Sequence, residues 1–336
     1  MNASTEILAK PLADARRLSN ARILWAVVGL VCCLLLPFVF SGYQLFQVTL
    51  TLIMAIAVLG LNLLVGYNGQ LSLGHGAFFA LGAYTAAILM DKFGVPYWMA
   101  IPAAGAVSLF VGFLFGLPAL RLEGLYLALA TFALAVATPQ LIRYKAIEKW
   151  TGGYQGIVLQ KPSAPAWSGM DDDRWLYYFV VIIAAILFFV AWNLTRSNVG
   201  RTMVAIQDHP MAAAAMGVNV AFYKSATFAV STMYTGIAGA LGAIAVQFAS
   251  PDSYGLFLSI SLLVGVVVGG LGTISGAIFG AAVIQFVPNI ADQVSKAAPW
   301  AIYGLFLIGC MYLMPTGAVG LIQGIARRVR RAFQRS

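Results

Sequence analysis

The sequence predicts an all-α polytopic membrane protein with about ten transmembrane helices and both termini in the cytoplasm. Of its 336 residues, 61% are hydrophobic and only 9% are charged, and the mean hydropathy is +0.88. Soluble domains carry roughly 25% charged residues, so an ordinary water-soluble fold is excluded. Apolar runs recur at about the 20 residues that a helix needs to cross roughly 30 Å of hydrocarbon.

Ten apolar segments qualify as membrane-spanning helices, of which the eighth and the tenth are short. The first follows a polar, basic stretch through Arg22 and lacks a small-residue cleavage site, which favours a retained helix over a signal peptide. Charged residues are confined to the segment edges and the loops, because a charge in the hydrocarbon costs roughly 2.5–3.5 kcal/mol. The segments are 23–40, 45–65, 71–90, 97–120, 122–142, 175–194, 221–248, 256–271, 273–290 and 300–314.

The distribution of Lys and Arg predicts the orientation of these helices. With both termini cytoplasmic, 13 of the 20 Lys and Arg residues lie inside and 7 lie in outer loops, as the positive-inside rule requires. The resulting domains are a cytoplasmic tail over 1–22, a transmembrane domain over 23–320 and a basic cytoplasmic tail over 321–336. The transmembrane domain carries an external loop over 143–174 and a cytoplasmic segment over 196–220.

The membrane segments lack the groups on which several function classes depend. Ion-coupled carriers place ionisable residues on their pathway, and here His75 is the one intramembrane group of this kind. The sequence contains no G-x-x-x-x-G-K-[ST] phosphate loop, no H-E-x-x-H and no G-x-S-x-G. Cys32, Cys33 and Cys310 lack the paired spacing of a metal site. We therefore expect no catalytic residues, no metal and a transport path whose energy comes from another protein.

A first informative stretch, residues 66–89, interrupts the hydrophobic pattern with glycine and other small residues, which let helices approach closely. Its sequence, GYNGQLSLGHGAFFALGAYTAAIL, resembles the G-x-x-G-Q-x-S-L-G-H-x-A-F-x-x-I-G-A-Y pattern of membrane subunits of branched-chain amino-acid importers. The match is best to the LivM type, with Leu81 in place of the usual isoleucine. Gln70, Ser72 and His75 are candidates to line the translocation path, since irregular membrane backbone is tolerated beside a cavity. The alternative is that they hydrogen-bond between helices.

A second stretch, residues 200–219, predicts a short surface helix on the cytoplasmic side. Asp208 is placed to cap the helix, Pro210 fits its first turn and Gly217 supplies a left-handed stop. The resemblance implies a coupling helix that docks on an ATPase subunit, although alanine replaces the glutamate of the family's A-A-E-A-M-G core. The alternative is a helix that rests on the lipid interface. The residues assigned to coupling are Asp208, Pro210, Met211, Ala212, Ala215, Met216 and Gly217.

A third stretch, TGGYQGI at residues 151–157, is similar to the T-G-G-x-x-G-[IL] element of LivM-type chains. Its glycines indicate a fixed turn at the outer mouth of the protein. We expect the loop over 143–174 to contact a solute-binding protein; the alternative is that it acts only as a spacer. The residues assigned to this turn are Thr151, Gly152, Gly153 and Gly156.

The resemblance covers roughly residues 23–320 and implies the permease subunit of an ATP-driven importer in a bacterial cytoplasmic (inner) membrane. Such a subunit forms the translocation path for branched-chain amino acids or a related small solute. The implied partners are the lipid bilayer, a LivH-like permease subunit, two ATP-binding cassette subunits and a periplasmic or extracellular solute-binding protein. The chain then holds no cofactor and binds no nucleic acid, since ATP is bound by the partner subunits. The alternative is a motor-independent channel or facilitator for a small neutral solute, which needs no docking helix at 208–217.

Overall fold

The structure is a computed structural model that describes residues 29–321, apart from 30, 32, 41, 120–123, 166–167, 295, 297–298, 315–316 and 319. The predicted tails, except for residue 321, and the first part of the first apolar segment lie outside the described residues. Residues 33–39 are helical, in agreement with the end of that segment.

Between residues 42 and 321, the described part of the chain folds into α-helices, a 3₁₀ turn over Pro251–Tyr254 and a two-stranded ribbon. The second to tenth predicted segments each correspond to one helix, with ends displaced by no more than four residues. The elements are α1 (Tyr43–Asn68), α2 (His75–Phe93), α3 (Tyr97–Ala119), α4 (Leu125–Ile142), α5 (Glu148–Thr151), β1 (Ile157–Val158), α6 (Asp172–Arg196), α7 (Asn198–Asp208), α8 (Pro210–Ala215), α9 (Val220–Val246), β2 (Phe248–Ala249), α10 (Leu256–Gly269), α11 (Gly276–Val294) and α12 (Pro299–Leu313).

Five helices in the described part of the chain are long and apolar enough to cross a membrane, namely α1, α3, α4, α6 and α9. The α10 helix is apolar but shorter. The fold is therefore that of a helical membrane protein. The total of ten spans and the cytoplasmic location of both termini stay predictions.

The centre of the bundle is formed by α1 and α9. In the most apolar 18-residue stretch of each helix, 72% and 78% of the residues are buried. Glycines bring α9 into backbone contact with α2: a Cβ on Gly82 would lie 2.0 Å from the Gly236 carbonyl oxygen. A Cβ on Gly280 would similarly lie 1.9 Å from the Gly265 carbonyl oxygen, between α11 and α10. Small residues permit such close helix approach in membranes. The glycines at 265 and 269 and at 272, 276 and 280 form G-x-x-x-G spacings, and their close contacts lie within the chain.

The prediction of an all-α fold missed the short ribbon of β1 and β2. The two strands are antiparallel, with Ile157 opposite Ala249 and Val158 opposite Phe248. The Leu159 amide extends the ribbon by donating to the Gln247 carbonyl oxygen at 2.8 Å. Strands of two residues show no alternating pattern of apolar and polar residues, so the usual sequence signal for a strand is missing.

Candidate functional site

The membrane bundle contains an irregular link between α1 and α2, at residues 69–74. The α1 helix ends because Gly69 adopts a left-handed conformation, φ 68°, and its amide bonds the Leu64 carbonyl oxygen. Irregular backbone at membrane depth requires burial in protein or an adjoining cavity. Both conditions occur here, because Ser72 is buried and Gln70 lines a cavity of about 200 Å³.

The buried imidazole of His75 connects this link to the central helix α9. Its Nδ1 lies 3.0 Å from Ser72 Oγ and its Nε2 lies 2.7 Å from Ser231 Oγ. Ser231 Oγ in turn donates to the Gly60 carbonyl oxygen at 2.6 Å. A serine hydroxyl has one proton, so Ser231 must accept from His75 Nε2–H, and the Ser72 hydroxyl is available to donate to His75 Nδ1. The hydrogen bond to Ser231 therefore places a proton on Nε2.

These hydrogen bonds distinguish two of the candidates for the translocation path, Ser72 and His75, from the third, Gln70. His75 is 0% exposed, and both of its ring nitrogens have a partner. Buried polar groups that are satisfied in this way hold a bundle together, so the geometry favours the interhelical alternative for Ser72 and His75. Gln70 differs, because it lines the cavity while its amide nitrogen donates to the Lys224 carbonyl oxygen at 3.2 Å.

A second irregular link, residues 270–275 between α10 and α11, lies against α1. The Asn62 amide on α1 donates to the Thr273 carbonyl oxygen at 2.8 Å and accepts from the Gly272 amide at 3.0 Å. A Cβ on Gly66 would lie 2.3 Å from Gly272 N. Sequence reasoning missed Asn62, because a single asparagine in an apolar helix does not indicate which distant backbone it bonds.

The segment over 196–220 contains two helices where the sequence predicted one. The α7 helix begins where Ser197 Oγ accepts from the Val199 amide at 3.2 Å, the usual contact of a serine cap. Its Met203 and Ile206 side chains are buried, whereas Arg201 is exposed. Apolar residues three apart on one side are the pattern of an amphipathic helix, and this signal could have found α7.

The predicted capping role of Asp208 is wrong. Asp208 is the last residue of α7, and His209 occupies the N-cap position of α8 without a side-chain cap bond. A capping residue needs non-helical backbone angles, which His209 has, at φ −149° and ψ 88°. Pro210 stands at the start of α8 as predicted, and Gly217 adopts the predicted left-handed conformation, φ 84°.

The α8 helix presents most of its surface away from the rest of the chain. Met211 and Met216 are 84% and 85% exposed, and Ala212 and Ala215 are also exposed. Ala213, which was not among the coupling candidates, is the residue of α8 that is buried against the chain. Four of the seven residues assigned to coupling thus lie on surface that is open to a partner.

Gln207 connects α7 to the end of α1. With its amide nitrogen turned toward α1, it donates to the carbonyl oxygens of Gly66 and Tyr67, at 3.2 Å each. Carbonyl groups in the last turn of a helix have no partner within the helix, so this contact satisfies two of them. A Cβ on Gly69 would lie 3.0 Å from Gln207 Cγ. Gln207 therefore joins α7 to the start of the link at 69–74.

The four residues assigned to the outer turn lie together at the opposite end of the bundle. Thr151 Oγ1 donates to the Ile142 carbonyl oxygen at 2.7 Å, and Gly152, Gly153 and Gly156 all have positive φ. A Cβ on Gly156 would lie 2.3 Å from the Ala249 carbonyl oxygen. Glycine is needed at such close approaches.

An ion pair adds a second connection between this turn and the segment that follows α9. The Arg143 guanidinium pairs with the Asp252 carboxylate and lies 5.0 Å from the centre of the Tyr154 ring. The end of α4, the outer turn and the segment that follows β2 therefore form one packed outer assembly.

Comparison with known proteins places these features in a family. The family model described as "Branched-chain amino acid transport system / permease component" matches residues 44–315. The chain belongs to this family. The matched range includes both irregular links, the segment over 196–220 and the outer turn, so each lies in the part shared with the permease components.

Among its relatives, the permease is 32% identical over 323 residues to the "High-affinity branched-chain amino acid transport system permease protein LivM" of Salmonella typhimurium. That alignment covers 89% of this chain and 75% of the relative. LivM of Escherichia coli is also 32% identical, and that alignment covers 85% of this chain and 72% of the relative. The "Autoinducer 2 import system permease protein LsrC" of Salmonella paratyphi B is 26% identical, and that alignment covers 88% of this chain and 86% of the relative. No solved structure matches the chain.

These matches confirm the LivM-type resemblance and the location in the bacterial inner membrane. The chain is a multi-pass permease subunit of a transport system. The substrates in the relatives' names differ, so family membership alone does not assign the substrate of this permease.

Proposed function

We propose that this permease forms the translocation path of an ATP-driven importer for branched-chain amino acids. The proposal is supported by LivM relatives that share 32% identity over most of the chain. The LsrC relatives, named for autoinducer 2 import, share about a quarter of their residues. The greater identity to LivM favours a branched-chain amino acid over autoinducer 2 as the substrate.

The motor of this importer resides in other chains. Two ATP-binding cassette subunits bind ATP, a LivH-like permease completes the path and an external solute-binding protein delivers the substrate. This division of labour is supported by the sequence, which has no phosphate loop of its own.

The α8 helix receives the motion of an ATPase subunit, and the observation that carries this proposal is its exposed apolar surface. Met211 and Met216 are more than four-fifths exposed, and flexible methionine side chains adapt well to a protein partner's surface. The α7 helix transmits the displacement, because Gln207 bonds the end of α1. The displacement then reaches the link at 69–74, where α1 and α2 meet.

The outer turn contributes to the docking surface for the solute-binding protein. Tyr154 and Val158 are highly exposed there, on backbone that the glycine turn and the β1–β2 ribbon hold in place. A charged substitution at either position is expected to reduce delivery of substrate without changing insertion of the permease. Uptake at low substrate concentration, where delivery limits the rate, is the sensitive measurement.

Uptake by proteoliposomes tests the whole proposal. The permease is reconstituted with its LivH-like partner, the two ATPase subunits and the binding protein, with ATP on the ATPase side and radiolabelled leucine on the other. Accumulation that depends on hydrolysable ATP and on the binding protein is the expected result. Equal downhill movement of leucine with and without ATP would instead establish a channel.

A further inference from the structure

An apolar groove of about 340 Å³ lies between α2, α3 and α4. Its α2 wall extends from Ala77 to Ile88, which is about 16 Å at 1.5 Å per residue. That length is about half of the roughly 30 Å of hydrocarbon in a bilayer, and so corresponds to one leaflet. Two residues of its walls, Leu141 and Ile147, are 58% and 39% exposed. The groove therefore opens at the surface of the bundle and has the length of one acyl chain.

The hydroxyl groups in the walls of this groove already have acceptors within the chain. Thr85 and Thr138 each donate to the carbonyl oxygen one turn earlier in their own helix, at 2.6 and 2.7 Å. Thr151 and Tyr84 also donate to backbone carbonyl oxygens, at 2.7 and 3.3 Å. A hydroxyl has one proton, and none of the residues found to line the groove is charged. A charged or zwitterionic solute would lose its hydration there without replacement, so the walls favour a hydrocarbon chain.

Basic and aromatic side chains surround the end of the groove that lies at the outer turn. Lys145 and Lys149 are exposed, and each is two residues from Ile147 of the groove wall. Neither lysine takes part in an ion pair in the described part of the chain. Tyr144 and Trp150 are 64% and 49% exposed beside them. Aromatic residues are enriched at the membrane–water interface, and clustered basic residues attract anionic lipid headgroups.

We propose that this groove binds one anionic phospholipid, with an acyl chain against Thr85 and Thr138 and its phosphate at Lys145 and Lys149. A helix of a partner permease would also suit the apolar walls. The charge at the outer end favours the lipid, because basic residues outnumber acidic ones three to one over residues 143–151. The bound lipid would support α4, which is the least buried of the five long helices and leads into the outer turn.

Native mass spectrometry of the purified full-length permease tests the site. The probe is palmitoyl-oleoyl phosphatidylglycerol, and phosphatidylcholine with the same chains is the uncharged comparison. We expect the native chain to hold one phosphatidylglycerol at least tenfold more tightly than any phosphatidylcholine. Thr138→Phe and Thr85→Phe fill the groove from two of its walls and should each weaken this binding at least tenfold. Ala133→Phe, at an exposed position of α4 outside the groove, is the matched control.

The headgroup is tested separately by replacing the two lysines. Lys145→Gln combined with Lys149→Gln should reduce the preference for phosphatidylglycerol over phosphatidylcholine at least fivefold. Lys296→Gln, at another exposed lysine, should leave the preference unchanged. Because Lys145 and Lys149 are exposed, the double variant should fold whatever the melting temperatures of the phenylalanine variants.

Three results would overturn the proposal. The first is equal binding of the two lipids by the native chain or an unchanged lipid preference in the double lysine variant. The second is native binding of phosphatidylglycerol by both phenylalanine variants. The third is loss of the bound lipid when the LivH-like permease is added, which would assign the groove to that partner.

Discussion

His75 Nε2 lies 2.7 Å from Ser231 Oγ and thereby joins the first residue of α2 to the middle of α9. The same serine donates to the Gly60 carbonyl oxygen of α1, so one side chain connects three helices. Because the hydroxyl proton is used toward Gly60, the imidazole must supply the other proton. The relationship therefore requires a proton on Nε2 of His75 and connects α1, α2 and α9 at one point.

Replacing Ser231 with alanine is expected to destabilise the protein by about 1–3 kcal/mol, because it leaves the buried His75 Nε2–H without an acceptor. The melting temperature of the purified permease in detergent measures the effect. Ser253→Ala, at an exposed serine, is the matched control and should melt like the native protein. Unchanged stability combined with lost uptake would contradict the structural role and return His75 to the translocation path.

The close contact of Gly82 with Gly236 gives a second prediction about packing. Gly82→Ala places a Cβ 2.0 Å from a backbone oxygen, so α2 and α9 must separate, at a cost of about 1–3 kcal/mol. Gly304→Ala is the control, since its Cβ would meet nothing within 4 Å among the described residues. Yield and melting temperature should fall for Gly82→Ala alone. Equal behaviour of the two variants would argue against the close α2–α9 contact.

The sequence predicted the long helices well because the length of an apolar run is enough to predict a membrane-spanning helix. It also predicted the stop at Gly217 and the interruption at Gly69, where glycine is the residue that adopts a left-handed backbone without strain. It did not predict which partners the polar residues find. Ser231 and Asn62 lie in apolar helices, and their roles depend on contacts with distant parts of the chain.

The register of the outer ribbon can be tested with cysteines at Val158 and Phe248. These residues are directly opposite, and paired Cα atoms in antiparallel strands are about 4.5–5.5 Å apart, within the range that a disulfide spans. In a background without Cys32, Cys33 and Cys310, we expect this pair to cross-link on mild oxidation. Val158 with Ala249, one residue out of register, places the side chains on opposite faces and should not cross-link. The reverse pattern would show a different register.

Labelling of single cysteines tests the predicted orientation. Tyr154→Cys and Met216→Cys both place the thiol at highly exposed positions, at the two ends of the bundle. A membrane-impermeant maleimide added to intact spheroplasts should label the first and reach the second only after the membrane is broken. Labelling of Met216→Cys alone in intact spheroplasts would invert the topology and remove the basis for an ATPase-docking role of α8.

The failure of the Asp208 prediction has a physical origin in the neighbouring helix. Aspartate is a common N-cap and proline is common at the start of a helix, but the apolar spacing of Met203 and Ile206 extends α7 through Asp208. A residue in a helical conformation cannot also be the N-cap of the next helix. The two helices are therefore separated by His209 alone, and this short junction favours movement of α7 together with α8.

Coupling through α8 gives the last prediction. Ala215→Glu places a charge in the exposed apolar surface around Met211 and Met216, which must lose water when a partner binds it. Burying an unpaired carboxylate is strongly unfavourable, so we expect loss of ATPase association and of ATP-dependent uptake. Ala205→Glu makes the same change at an exposed position of α7, outside α8, and should retain both. Because Ala215 is exposed in the chain itself, the variant should fold and insert normally, as its melting temperature and membrane yield will report. ATPase association and transport-linked ATP hydrolysis that persist at native levels in Ala215→Glu would exclude α8 as the coupling element and strengthen the case for a channel.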